Sequence, residues 1–432
     1  MGSIWTSTAR LPRFAPLRRD LKTDVLVVGG GIAGLLCAYL LKAAGADCAL
    51  VEADRICGGT TMNTTAKVTA QHGLIYSRLI RERGLEAAKQ YLEANLSALA
   101  HWRALCRDLE QPFEARPSGV YARTDRRKLD GELEALAQLN YPARFVSAPP
   151  LPLAAAGAVV FPDQGQVHPL QFAGALAKGL PVYEHTKVLE LMPGRAVTTG
   201  GTVSAGHIII ATHFPILNKH GGYFLKLCQH RSYVLALENA PPIEGMYVDE
   251  DKRGLSFRDA EGMLLLGGGG HRTGKKGGGW RELEDFARRT WPQARVKARW
   301  AAQDCMSLDG VPYVGRYGKR ATGLYVATGF NKWGMTSAMA AAEVLRDLVL
   351  GRENPYGDLF SPSRRMPGLP LAGNVLASAA GLLTPTVPRC PHMGCALKYN
   401  RAEHSWDCPC HGSRFREDGK LIEGPATDDR HP

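Results

Sequence analysis

The stretch DVLVVGGGIAGLLCAYLLKAAGADCALVE, from Asp24 to Glu52, decides the fold. Asp24–Val28 is an apolar run of strand length, and Gly29-Gly30-Gly31-Ile32-Ala33-Gly34 follows it without a break. Leu35–Ala44 then carries apolar residues at helical spacing and stops at Gly45, after which CALVE reads as a second strand ending on Glu52. Strand, G-x-G-x-x-G turn, helix, strand and terminal acid make up a dinucleotide-binding βαβ unit. Gly29 permits the tight turn, Gly31 lets backbone approach a pyrophosphate, and Gly34 lets helix and strand pack closely. The helix N-terminus favours phosphate charge, and Glu52 offers an acceptor to a ribose hydroxyl. FAD and NAD share this fingerprint, so the unit alone leaves the dinucleotide open.

Further along, Ala53–Gly73 (ADRICGGTTMNTTAKVTAQHG) is a loop rich in Gly and Thr, and His207–Pro215 (HIIIATHFP) reads as a strand ending in Ala-Thr. Residues 323–351 read as strand, Gly-bearing turn and helix, preceded by DGVPYVGR at Asp309–Arg316. With these motifs in this order, residues 20 to 350 or so resemble the D-amino-acid-oxidase/glycine-oxidase family of FAD enzymes. The resemblance implies an α/β fold, with a Rossmann-like FAD-binding domain and an interleaved α+β substrate domain. FAD-binding segments then fall at about 20–75, 155–212 and 300–350, and substrate segments at about 76–154 and 213–299, within a unit spanning 1–360.

By the same resemblance Gly59, Thr60 and Thr61 hold the pyrophosphate, and Thr64, Thr65 and Lys67 lie near the isoalloxazine. Gly329, Gly334, Met335 and Thr336 close over the pyrimidine edge, and Val188 joins Ile32, Ala33 and the fingerprint residues in the FAD set. Relatives with covalently attached flavin carry a His two residues after Gly-Thr-Thr, where this chain has Asn63, so non-covalent FAD is expected. Cys57, two residues before Gly59, is the other candidate attachment point. Leu79–Leu109 has the spacing of an amphipathic helical pair. LLLGGGGHRTG (264–274) reads as a strand running into a glycine loop. In the family this region approaches the flavin, which makes His271, Arg272 and Lys332 the candidate catalytic residues.

The tail carries Cys390-Pro391-His392-Met393-Gly394-Cys395 and, twelve residues on, Cys408-Pro409-Cys410-His411-Gly412-Ser413. Two Cys-plus-His pairs on short loops point to a metal, and tetrahedral zinc would accept such a set. The pattern C-x-H followed by C-x-x-H, with an extra Cys in each loop, resembles the Rieske [2Fe–2S] signature. That resemblance gives Cys390 and Cys408 to one iron and His392 and His411 to the other, which raises the potential above that of all-Cys clusters. It also implies a disulfide between Cys395 and Cys410. Only about 50 residues follow Thr384, so a small all-β subdomain (384–432) is expected, with 361–383 as linker and base. The position two beyond Ser413, often Tyr in high-potential relatives, is Phe415, which implies a lower potential.

The chain has 432 residues, 45% apolar and 22% charged, a composition suited to two or three packed units. No signal-peptide core and no run of roughly 18 uncharged apolar residues is found, so a cytoplasmic protein without a membrane span is expected. The formal charge is +12, yet seven Lys/Arg balance seven Asp/Glu from Thr384 onward. The excess lies in Arg10–Lys22, Arg123–Lys128, Arg272–Lys276 and Arg288–Arg299, as a solvated surface or a docking face for an acidic carrier such as a ferredoxin. No nucleic-acid motif accompanies it. The expected activity is an FAD-dependent dehydrogenase that oxidises a C–N bond of an amino acid or amine and exports electrons through the cluster. An oxidase with a structural cluster, a reductase fed by a ferredoxin and a non-enzymatic redox sensor are the alternatives. A Rieske oxygenase is disfavoured, since no D/E-x-x-H-x₄-H pattern for a mononuclear iron is present.

Overall fold

The computed structural model describes residues 2–217, 220–251, 253–318, 321–365, 368–385 and 388–430. The first sheet grows from the strand Leu21–Val28, which pairs in parallel with Cys48–Val51 on one side and Gly201–Ile210 on the other. Leu324–Thr328 continues it in parallel, Val182–Tyr183 closes one edge, and Tyr313–Arg316 lies antiparallel at the other. Val25–Val28 are apolar without alternation because both faces are covered, as in other parallel sheets. Helices Ile32–Ala43 and Gly334–Val349 pack against each other over this sheet. The helical reading of Leu35–Ala44 is therefore met, with the start one turn earlier at Ile32.

The second sheet has nine strands, ordered Arg295–Ser307, Leu227–Glu238, Met263–Arg272, Ser256–Ala260, Met246–Asp249, Glu114–Ala122, Gly157–Gln166 and Lys67–Val68, with Arg144–Val146 paired to Gly157–Gln166. The amphipathic stretch Leu79–Leu109 forms two helices, Tyr76–Arg83 and Leu85–Asp108, broken at Gly84. The third sheet is small and antiparallel: Lys398–Asn400, Ser405–Asp407, Arg414–Arg416 and Leu421–Glu423. Its core is little more than Cys390, Cys395, Leu397, Cys408, Cys410, Phe415 and Ala426. Ahead of it, the segment read as linker and base is mostly one helix, Gly368–Leu383. Arg364 anchors the chain before that helix by pairing with buried Asp309 through Nε (2.8 Å) and Nη2 (2.9 Å). No helix among the described residues is long and apolar enough to cross a membrane.

Candidate active site and cluster loops

Gly29 has φ +109°, and a Cβ there would stand 2.7 Å from the Ala211 carbonyl oxygen. A Cβ on Gly34 would overlap the carbonyl oxygen of Gly29, so helix and strand approach as closely as the motif predicts. Glu52 accepts hydrogen bonds from the Gly30 N–H (2.6 Å) and the Asp54 N–H (2.9 Å), while burial raises its carboxyl above the ordinary range. Thr61 Oγ1 accepts from the Ile32 N–H at 3.0 Å, tying the Gly-Thr-Thr loop to the helix start. Between them the backbone is open. A Cβ on Gly31 would touch only Thr61 Oγ1, at 3.5 Å, and one on Gly59 would meet nothing within 4 Å. A cradle of bare backbone at a helix N-terminus suits a pyrophosphate. Val188 begins an edge hairpin strand and packs half-buried against the core that includes Leu26, Val51 and Ile210.

Thr60, between the cradle residues Gly59 and Thr61, lines a cavity of about 790 Å³. Thr60, Asn63, Thr64, Thr65 and Lys67 line it, together with Lys332, Gly334 and Met335. Gly329 and Thr336 stand behind this lining. Thr336 Oγ1 accepts from the Thr69 N–H and donates to the Thr69 carbonyl, both at 2.9 Å, locking the late helix to the early loop. Three indole N–H groups hold the cavity's carbonyls in place: Trp5 on Thr64 (2.8 Å), Trp300 on Asn63 (2.9 Å) and Trp102 on Met335 (2.9 Å). Cys57 is buried with its thiol pushed up by burial and by Glu52 and Glu184, which makes it inert.

The ionisable groups of the cavity are strongly perturbed. Burial, with Arg258 adding to it, lowers the Lys67 ammonium to about 7. Burial raises the carboxyl of Asp304, against the charges of Lys332 and His213. His72 stacks on Trp333 (centroids 5.1 Å, 13°), and its Nε2–H donates to the Thr69 carbonyl at 2.8 Å. Nδ1 therefore accepts from the Tyr91 hydroxyl (2.7 Å), and burial lowers the ring to about 3, so it is neutral. Sequence reading missed His72, Asp304 and Trp333. Each sits in a run of ordinary strand or loop pattern, and only the fold brings them to one cavity.

Of the three residues put forward as catalytic, Lys332 alone lines the cavity. His271 stacks on Tyr233 (5.9 Å, 5°) and lines a separate cleft. Arg272 turns to the tail, where Nη2 donates to the Cys410 carbonyl and to Asn374 Oδ1, both at 2.6 Å. The strand Met263–Arg272 explains this correction: its glycines Gly267, Gly268 and Gly270 face the cavity, and its C-terminal end has already run on to the cluster loops.

In the tail, Sγ atoms of Cys395, Cys408 and Cys410 lie within 4.8 Å of one another, and Cys390 is equally buried. The rings of His392 and His411 meet edge to face at 5.0 Å, with both Nδ1 atoms hidden from solvent. Hydrogen bonds from Cys390, Cys395 and Cys410 hold the Cys408 thiol well below its ordinary value, the direction a metal-binding thiolate requires. Buried thiolate and imidazole donors facing inward fit a [2Fe–2S] cluster held by Cys390, Cys408, His392 and His411. Cys395 and Cys410 are both free thiols here, so the implied disulfide is not formed in this structure. The helix Gly368–Leu383 covers this pair so closely that a Cβ on Gly381 would overlap Cys410 Sγ.

The two sites share a wall. Gln303 accepts from Thr60 Oγ1 at its backbone carbonyl (3.1 Å), and its Nε2 donates to the Gly412 carbonyl (3.0 Å), next to His411. Thr273 Oγ1 donates to Gln303 Oε1 at 2.9 Å, which fixes the amide orientation. Gln229 Nε2 reaches the Gly424 carbonyl (2.7 Å), and Phe224 packs edge-on against His411 (5.9 Å).

Residues 24–348 match the FAD dependent oxidoreductase (DAO) family, and residues 374–430 match the Rieske [2Fe-2S] domain. The chain belongs to the FAD-dependent oxidoreductase family. It is an oxidoreductase whose cofactors are FAD and, in the added tail, a [2Fe–2S] cluster. A Bacillus subtilis (strain 168) protein named as a Rieske 2Fe-2S iron-sulfur protein, YhfW, is 33% identical over 98% of this chain and 96% of its own. Among solved structures, glycine oxidase from Geobacillus kaustophilus superposes with TM-score 0.68 at 23% identity, covering 80% of this chain and 100% of that one. L-proline dehydrogenase from P. horikoshii gives 0.69 at 17% identity, over 80% and 98%. These likenesses establish the fold.

Proposed function

We propose that this protein is a dehydrogenase that oxidises a C–N bond of an amino acid or amine in the 790 Å³ cavity. Electrons then pass singly to the Rieske cluster and on to an external carrier. The observation that supports this reading best is Gln303, which hydrogen-bonds the flavin-side loop through its backbone and the cluster loop through its side chain. When bound, FAD accepts the hydride equivalent of the oxidised bond, and the cluster carries one electron at a time. The chain's own residues supply the rest. Trp5, Trp102 and Trp300 fix the walls, and the neutral His72–Trp333 stack excludes water from one side. Lys67, titrating at about 7, is neutral at mildly alkaline pH and able to take the proton that a substrate ammonium must lose. Glycine oxidase and L-proline dehydrogenase, which share the fold, act by their names on amino acids. A cytoplasmic setting belongs to the same reading, given ten cysteines without a disulfide among the described residues.

The test is anaerobic addition of an amino-acid and amine library to the holoenzyme. Bleaching of the flavin followed by the EPR signal of a reduced cluster is the expected result. Bleaching with the cluster left oxidised, and turnover sustained by O₂, would make the protein an oxidase with a structural cluster.

A further inference from the structure

A second cleft, about 420 Å³ in volume, lies between the flavin-side loop Gly274–Gly278 and the cluster subdomain's first hairpin, residues 398–402. Lys275, Lys276, Lys398 and Arg401 line it, all exposed, and none forms an ion pair with a carboxylate among the described residues. Part of the basic surplus elsewhere is neutralised. Arg126, Arg127 and Lys128 pair with Asp130, Asp125 and Glu250, and Arg288, Lys297 and Arg299 pair with Asp285, Glu238 and Glu284. The acid in the cleft wall, Asp407, is engaged by Arg414 Nε at 3.0 Å. The cleft is thus a concentration of uncompensated positive charge.

It also abuts a cluster ligand. Gly274 presses so close that a Cβ there would stand 2.5 Å from Pro409 N and 2.7 Å from the carbonyl carbon of Cys408, and Asp407 immediately precedes Cys408. On the His411 side, Phe224 packs edge-on against the ring, and Gln229 and Gln303 hydrogen-bond the carbonyls of Gly424 and Gly412. We infer that this cleft is the docking surface of an acidic one-electron carrier protein. The carrier's carboxylates engage Lys275, Lys276, Lys398 and Arg401 and bring its redox centre beside Cys408. One electron leaves the reduced cluster, the carrier is reduced by one electron, and no proton or bond is exchanged. The carrier's role rests on the electron-export reading above, and the location of its site is tested apart from it.

The oxidised holoenzyme is mixed anaerobically with a pre-reduced acidic [2Fe–2S] ferredoxin over a range of ionic strength, the direction that runs downhill into a Rieske cluster and is independent of whether the flavin feeds it. The wild-type rate should fall steeply with salt. K275E/K276E and, separately, K398E/R401E should lower the low-salt rate on the order of tenfold and flatten the salt dependence. Cluster EPR and the rate at which an uncharged benzoquinone oxidises the dithionite-reduced holoenzyme should not change. If K398E/R401E fails to load its cluster, K275E/K276E, which lies outside the subdomain, carries the test. Equal ferredoxin rates and salt slopes in wild type and K275E/K276E would overturn the inference. So would protection of the wild type alone from thermal unfolding by inorganic phosphate, with ferredoxin rates equal, since that would assign the cleft to a small anion.

Discussion

The guanidinium of Arg231, on the flavin-side strand Leu227–Glu238, donates to Glu403 of the cluster subdomain through Nε (2.9 Å) and Nη2 (2.5 Å). Its Nη1 reaches Glu423 at 3.0 Å, and Arg414 contacts the same two acids and buried Asp407, so that a network of two buried arginines and three acids ties the subdomain to the sheet through Arg231. Removing Arg231 leaves Glu403 and Glu423 with Arg414 as their remaining arginine partner and breaks the ion pairs that tie the subdomain to the sheet, at up to about 3–5 kcal/mol. Arg231→Ala should therefore release the cluster subdomain while the flavin stays bound. Limited proteolysis after residue 383 and loss of the cluster's visible bands would report it, and Arg231→Lys should be intermediate.

The same network sets an acid limit. Burial alone would raise the Glu403 carboxyl, but hydrogen bonding and charge from Arg231, with the charge of Arg414, outweigh it and hold the group at about 2. A depressed carboxylate stabilises the fold above its unfolded value near 4.5 and loses that stabilisation as pH falls through about 2. Docking of the subdomain should be constant above pH 5 and weaken below about 4.5, as read by EPR of samples cycled through acid. Cluster release already complete at pH 6 would contradict this.

Gln303→Leu removes the amide that spans the two sites and leaves the Gly412 carbonyl without that donor, at about 1–3 kcal/mol. Stopped-flow absorbance should show flavin reduction by substrate at the wild-type rate and a slower appearance of the reduced cluster. Equal rates for both phases would show that the electron path lies elsewhere.

Lys67→Met should remove the limb near pH 7 from the rate of flavin reduction. In the wild type the rate should rise with pH as the ammonium at about 7 gives up its proton. A variant that keeps the same limb would transfer the role to another group.

Asn63 occupies the position of the attachment His, and its Nδ2 donates to the Gly59 carbonyl at 3.1 Å. Acid precipitation should leave all FAD in the supernatant, measurable by fluorescence. Yellow protein in the pellet would refute non-covalent binding.

The parts of this molecule that sequence made legible are those fixed by neighbouring residues. Gly29 and Gly34 announce the βαβ unit because the turn and the close packing leave no room for other side chains. The tail's ligands fall within two short loops, so their spacing suffices. The misplaced candidates, His271 and Arg272, follow a legible strand, but a ten-residue strand spans about 30 Å. Which end faces the flavin is a tertiary fact. Gly368–Leu383 carries no charged residue to mark a surface helix, although Leu376, Leu382 and Leu383 are exposed, and the closeness of Gly381 to Cys410 is a tertiary fact. The pairing of Arg231 with Glu403 joins residues 172 apart, and no local pattern signals it.

The covering of the cluster loops has a consequence for biogenesis. Phe224 and Gln303 close one side of the ligand loops, and the helix bearing Gly381 closes another. With the tail docked, the side chains of Cys408 and His411 are almost wholly buried, so an iron–sulfur delivery protein cannot touch them directly. Maturation must then be ordered: iron and sulfide enter while the tail is still undocked, and Arg231 afterwards fastens a loaded subdomain. Iron scarcity during synthesis would accordingly leave a flavin-loaded protein with a loose, protease-sensitive tail.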